Sequence, residues 1–181
     1  SPELTKDIGE LDEVDTSFGL SLALLTLDGR DEAPLAADTA ALEEVVDLGV
    51  VDGSVVDLAP GQLAISEDYA DTHHLAVGDT LTAAFADGAE TELTVNAVYA
   101  ERDLMGDLVM TNDDWIPHAG RTPTDLMVLV NLADGVSLDQ GRAAVQAVSD
   151  AHSGPTVQDE DEYLDTMSAE LDQLLYLVYG L

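Results

Sequence analysis

The side chains best placed to do chemistry in this sequence are its histidines and its clustered acids. His73 and His74 are adjacent imidazoles, a tempting metal pair. Neighbours on a helix project about 100° apart, however, whereas helical ligand pairs sit at i, i+4, so this pair reads as an exposed helix end. The run Asp159, Glu160, Asp161, Glu162 could attract Ca²⁺. It lacks the D-x-[DN]-x-[DN]-G loop that wraps the ion, and acids at a helix start are favoured by the helix dipole, so capping is the better reading. Asn112, Asp113 and Asp114 have the same explanation. Trp115 beside His118 could form a ligand surface, but a lone tryptophan is more often a core anchor. Among 38 acidic side chains some pairs must fall close in space, as a glycosidase needs, yet no spacing selects a pair. The chain has no cysteine, which removes disulfides, zinc ribbons and thiol nucleophiles together. There is no phosphate-cradling G-x-x-x-x-G-K-[ST] and no G-x-S-x-G, and no serine has a histidine partner by motif. These residues therefore predict no catalytic centre, no metal site and no cofactor.

The chain has 181 residues with 38 acidic and 5 basic side chains, a formal net charge of −33. That charge alone would suggest disorder, but 46% hydrophobic residues and a mean hydropathy of +0.06 argue for folding, with the acids on a solvated surface. The length suits one domain or two small ones, burying roughly 70% of the unfolded chain's surface. An acidic surface repels phosphate backbones and anionic headgroups, which excludes nucleic-acid binding. It suits a protein bathed in salt or facing the cell exterior. No period of 20 to 50 residues recurs, so a solenoid or propeller is not indicated.

The elements that would position these residues follow from local signals. Leu4, Ile8, Leu11 and Val14 at helical spacing behind Pro2 predict a short amphipathic helix over 2–14. Phe18, Leu20, Leu22 and Leu24 alternate as in a half-buried strand, and Asp28-Gly29 supplies the turn to a hairpin partner. Asp38 caps a helix carrying Leu42, Val45 and Val46, which Gly49 can end. From about 50 to 120 the texture is mostly β. LAIS (63–66) reads as a strand, SEDYADTHHL as a short helix, LTAAFADGAETELTVNAVY as a hairpin turning at Asp87-Gly88, and LVM (108–110) as a strand. Thr111 caps a short helix that Pro117 helps to end. Further on, TDLMVLVNL (124–132) is a strand. Ser137 with Gln140 forms a capping box opening a helix broken at Gly154-Pro155, and a brief strand at Thr156–Gln158 leads to the acidic cap of a terminal helix.

That helix carries an apolar stripe through Leu164, Met167, Leu171, Leu174 and Val178, while Glu162, Asp165, Glu170 and Asp172 keep other positions wet. After Gln173 it is apolar all round, which requires a deep core or lipid. Eight residues cannot span a bilayer, which takes about 20. Tyr176 and Tyr179 suit a membrane interface and a core equally.

Two stretches, DLGVVDGSVVDLAPGQLAISEDYADTHHLAVGDTLTAAFADGAETELTVNAVYAERDLMGD and VQDEDEYLDTMSAELDQLLYLVYGL, resemble the extracellular region of FtsX/MacB-type ABC transporter permeases, particularly those of actinobacteria. The resemblance covers nearly the whole chain, most securely residues 47–110 and 157–181. It implies an α+β fold, with a porter-like subdomain of two βαβ-type halves and an inserted small β-rich subdomain. The porter-like part would be residues 1–50 and 121–181, and the inserted part 51–120. It also implies that residues 174–181 start a transmembrane helix continuing past Leu181, with Leu171, Leu174, Leu175, Leu177 and Val178 forming the membrane-junction helix. The implied partners are the membrane helices of its own longer chain, a separate cytoplasmic ABC ATPase, a second permease copy, and a substrate or extracellular partner. The implied role is non-catalytic: ATP hydrolysis elsewhere moves this domain on the outer face of the cell membrane, driving export or extraction or controlling an extracellular partner. Helices 2–14 and 159–181 should then lie side by side. The alternative from composition alone is a free-standing secreted acidic binding module or carboxylate-based hydrolase, with the last residues folded into the core.

Overall fold

The computed structural model describes residues 2–120 and 124–167. Helix α1 (Pro2–Gly9) precedes strands β1 (Val14–Leu22), β2 (Leu25–Leu27), β3 (Arg30–Glu32) and β4 (Leu35–Ala37). Helix α2 (Thr39–Val45), β5 (Val50–Gly53), β6 (Gln62–Ser66) and α3 (Glu67–His73) come next. The hairpin β7 (Thr80–Phe85) and β8 (Glu90–Tyr99), β9 (Leu108–Thr111), α4 (Asn112–Trp115) and a 3-10 turn (Ile116–His118) follow. Then come β10 (Asp125–Leu132), α5 (Leu138–Ala151) and α6, helical from 160 to the last described residue, 167. The fold is α+β, as expected.

The strands join in one curled sheet in the order β10-β1-β4-β9-β6-β8-β7-β2-β3, with β5 paired to the far end of β8. Neighbours are antiparallel except β4 with β9 and β6 with β8. The hydrogen bonding runs across residue 50, because β2 is stitched to β7 and β4 lies beside β9. Three apolar clusters form the core. One gathers Leu25, Leu27, Leu63, Ile65, Leu81, Leu93 and Trp115. Another, under α2, gathers Phe18, Leu20, Leu42, Leu48, Ala97 and Tyr99. The third joins α1 and α5 to β1 and β10 through Leu4, Ile8, Val14 and Val145.

A bulge in β8 lets that strand serve two clusters. Leu63 pairs with Val95 but Ala64 with Ala97, leaving Asn96 as the extra residue. Before the bulge Leu93 and Val95 face the first cluster; after it Ala97 and Tyr99 face the second. A one-residue step in a strand moves every later side chain to the other face. The bulge is pinned from β5: Asn96 Nδ2 donates to Ser54 O at 2.7 Å, and Gly53, at φ 77°, lies so close that a Cβ there would meet the Asn96 carbonyl.

Several expectations need correction. The first helix ends at Gly9 rather than reaching Val14, which starts β1; glycine is a poor helix former, and the 8–14 stretch closes as turns instead. The face of β1 expected to be buried is covered only in part, although the pairing with β10 shifts register after Val14 and after Leu20, the second time with Leu126 of β10 as the extra residue. Phe18 and Leu20 are buried in the second cluster, whereas Leu22 and Leu24 are exposed, and Ala23 between them is buried in the first. Helix α2 stops at Val45, before Gly49, because Val46 turns extended. Thr156–Gln158 is not a strand. Its Val157 N–H donates to the Gln146 side chain at 2.8 Å, so the segment lies along α5, not in the sheet.

Candidate functional site

One polar site lies where the two ends of the described chain meet. Helix α1 packs on β1 and α5 because Leu4 and Ile8 fall on one face and are buried with Val14 and Val145. Thr5 Oγ1 donates to Asp125 Oδ2 at 2.8 Å, tying α1 to the start of β10. His152, just past α5, lies 2.8 Å from Asp7 Oδ2 through its Nε2. Val157, on the way to α6, packs against the same apolar cluster as Leu4 and Ile8. The first helix and the approach to α6 thus share one face of the domain.

The acidic run 159–162 does there what the sequence suggests. Glu162 N–H donates to Asp159 Oδ1 at 2.9 Å and Asp159 N–H to Glu162 Oε2 at 3.2 Å, a reciprocal capping box. The structure adds a cation that sequence reasoning missed. Arg142 of α5 forks onto Glu162, with Nη1 to Oε1 at 3.1 Å and Nη2 to Oε2 at 2.9 Å, and its Nη2 also reaches Asp159 Oδ2 at 2.6 Å. The hydrogen bond to Glu162, above all, holds this guanidinium still more firmly protonated than an ordinary arginine. The available signal was scarcity: Arg142 is one of 5 basic residues, at helical spacing inside a well-capped helix.

A second polar site is a cleft of about 290 Å³ beside α3, lined by Glu32, Asp68, Tyr69, His73, Arg102 and Asp107 among others. Its charges are mutually tied. Arg102 Nη1 lies 2.8 Å from Asp107 Oδ1 and 3.2 Å from Asp68 Oδ2, and Ser66 Oγ donates to the same Asp107 oxygen at 2.7 Å. Tyr69 O–H donates to Glu32 Oε1 at 2.9 Å, and burial, more than the carboxylate, raises its phenol pKa.

The histidines and the other acids take separate places. His73 tilts against the Tyr69 ring at 4.2 Å, while His74 is the left-handed cap of α3 at φ 57°, so the pair does not converge. Trp115 is buried in the first cluster. His118 instead stacks on Phe85 at 4.1 Å and reaches Asp87 Oδ2 at 2.8 Å, fastening the 3-10 turn to the β7–β8 hairpin. Asp114 accepts from Thr111 Oγ1 at 2.8 Å and from Gly61 N–H at 2.9 Å, so this member of the second acidic cluster is structural. Among the described residues no group of three or more His, Asp or Glu could hold a metal ion, and no helix is long and apolar enough to cross a membrane. Leu171, Leu174, Leu175, Leu177 and Val178 lie outside the described residues.

Comparison with solved structures gives this arrangement a context. The chain is similar to the periplasmic region of MacB from Actinobacillus actinomycetemcomitans, with a TM-score of 0.63 over 94% of this chain and 82% of that one, at 9% identity. The fold is that of a MacB-type periplasmic domain. The extracellular domain of the noncanonic ABC-type transporter YknZ from Gram-positive bacteria is also similar, with a TM-score of 0.58 over 85% of this chain and 84% of that one, at 14% identity. A domain ascribed to a permease protein of Porphyromonas gingivalis matches with a TM-score of 0.51 over 87% of this chain and 69% of that one, at 17% identity. No family model and no curated protein matches the sequence. The likenesses bear out the MacB-type fold of the resemblance; its actinobacterial source gains nothing from them.

Proposed function

We propose that this chain is the extracellular domain of an ABC transporter permease and acts without catalysing a reaction. The observation that carries this reading is the shared fold with the MacB periplasmic region over 94% of the chain. The meeting of α1 with the approach to α6 supports it, since a domain inserted between membrane helices needs its two ends on one face. In this reading residues 1–50 and 121–181 form the membrane-proximal, porter-like part, and 51–120 the inserted part, to which β2 and β3 attach through β7. Leu171, Leu174, Leu175, Leu177 and Val178 carry the chain into the membrane. A cytoplasmic ATPase subunit binds and hydrolyses ATP, and the resulting movement of the membrane helices reaches the domain through its two ends. It drives export or extraction of a substrate or controls an extracellular partner, with a second permease copy completing the assembly. The hydrolase alternative draws no support from the α3 cleft, where Asp68 and Asp107 share Arg102 and Glu32 holds Tyr69.

The test uses the full-length permease expressed with its ATPase. A D113C variant, at the exposed Asp113 of α4, should react with a membrane-impermeant maleimide on intact cells, and the permease should co-purify with the ATPase. Labelling only after lysis, or turnover of glycan or peptide by the chain that a single carboxylate substitution abolishes, would contradict the proposal.

A further inference from the structure

The segment between α5 and α6 is held by side chains of α5 in strict order. Ser149 Oγ donates to Pro155 O at 2.7 Å, Gln146 Oε1 accepts from Val157 N–H at 2.8 Å, and Arg142 binds Asp159 and Glu162. Residues 142, 146 and 149 are spaced four and three apart, which places them on one stripe of the helix. Their partners run the opposite way, 155, then 157, then 159 and 162, so each step back along α5 grips the next stretch of the returning chain. Val145, on a neighbouring face, is buried with Leu4 and Ile8 and anchors α5 to the sheet. The start of the strap is also fixed: Gly154 N–H donates to Ser149 O at 2.7 Å, and a Cβ on Gly154 would crowd Ser149 Oγ at 2.5 Å.

The contacts along this strap are unequal. Hydrogen bonds between charged groups are stronger than neutral ones, and a fork onto a carboxylate adds directionality. The strongest grip therefore lies at the α6 end, on the cap of the helix itself. Breaking it would leave α5 in place, because α5 keeps its own Ser137–Gln140 capping box and its buried valine.

We propose that the Arg142, Gln146 and Ser149 stripe is a side-chain latch that fixes α6 to α5, with Arg142 as the positioning residue through which movement of α6 reaches the sheet. The latch itself stands on the geometry, while its role in transmitting movement rests on the permease reading. Two measurements separate these. In the 181-residue chain, hydrogen exchange at the amides of 159–167 should be roughly tenfold faster in R142Q, with R142K between it and the wild type because an ammonium cannot fork. Fluorescence of Trp115, buried in a different cluster, should be unchanged and report an intact sheet. Exchange within about twofold of wild type in R142Q would overturn the latch. In the full-length permease with its ATPase, spin labels at exposed Asp161 on α6 and Asp113 on α4 should show an ATP-dependent distance change that R142Q weakens or abolishes. Equal changes in both proteins would overturn the transmission role. Absence of any change in the wild type, with exchange still faster in R142Q, would leave the latch standing and count against the permease reading.

Discussion

At the scale of single residues, the polar side chains of this domain are fasteners, and their titration should show it. Tyr99 is buried and its O–H donates to Gly106 O at 2.7 Å, and burial pushes the phenol well above its ordinary range. An acid whose folded pKa is raised contributes stability below its unfolded pKa and loses it as pH rises. Unfolding free energy should therefore fall as pH climbs above about 10, and Y99F should flatten that fall. At neutral pH, Y99F leaves the Gly106 carbonyl without its donor, an expected loss of about 1 kcal/mol in urea unfolding. Asp87 behaves in the opposite sense. Its hydrogen bond with His118 first, and the Ala89 N–H second, hold its carboxyl below the ordinary carboxylate range. Its contribution is present above that range and vanishes as pH falls through the lowered pKa. The melting temperatures of wild type and D87N should accordingly differ at pH 6 and converge in strong acid, and a gap that stays constant with pH would contradict this pairing.

At the scale of elements, local signals were legible and long-range ones were not. The Ser137–Gln140 box, the Asp38 cap of α2, the Thr111 cap of α4 and the Asp87-Gly88 turn are each decided within four residues, and all formed as read. Substituting S137A should destabilise the domain by about 1 kcal/mol, measured by thermal denaturation. What the sequence hid depends on partners far along the chain. The alternation from Phe18 to Leu24 predicts one inward face, but only its first half is covered: Phe18 and Leu20 join the second cluster, Leu22 and Leu24 on the same face are exposed, and Ala23 between them packs into the first. β5 escaped notice because Val50, Val51, Asp52 and Gly53 are all exposed, so no burial pattern marks them. Its Gly53 nonetheless supports the Asn96 bulge. G53A sets a left-handed backbone position against a Cβ that meets the Asn96 carbonyl, and a loss of about 2 kcal/mol or more is expected. A change below about 0.5 kcal/mol, within the range of ordinary surface substitutions, would show that the bulge is not pinned there. Thr156–Gln158 reads as a strand because Thr156 and Val157 favour extended chain, but the segment pairs with α5 side chains and not with the sheet. Arg142 carried no motif, and only the return of the chain past α5 reveals its role.

At the scale of the molecule, charge and connection dominate. A net charge of −33 repels itself most strongly in the compact state, and mobile ions relieve that repulsion. The screening length shrinks from about 10 Å at 0.1 M to about 3 Å at 1 M salt. The melting temperature should therefore rise in KCl between 0.1 and 1 M, by roughly 10 °C if the relief is worth a few kcal/mol. The few ion pairs that salt weakens are too sparse to reverse the trend, and a flat or falling melting temperature would show that the acids are already neutralised by other means. The connection is the more consequential property. The proposed function, a domain worked from its two ends, draws on the fold shared with the MacB periplasmic region and on the meeting of α1 with the approach to α6. The most direct test is the distance between labels on α6 and α4 in the reconstituted full-length permease with its ATPase, recorded with and without ATP. The account predicts two distinct distributions that interconvert with nucleotide; one distribution, unchanged by ATP in an assembly that hydrolyses it, would contradict the account.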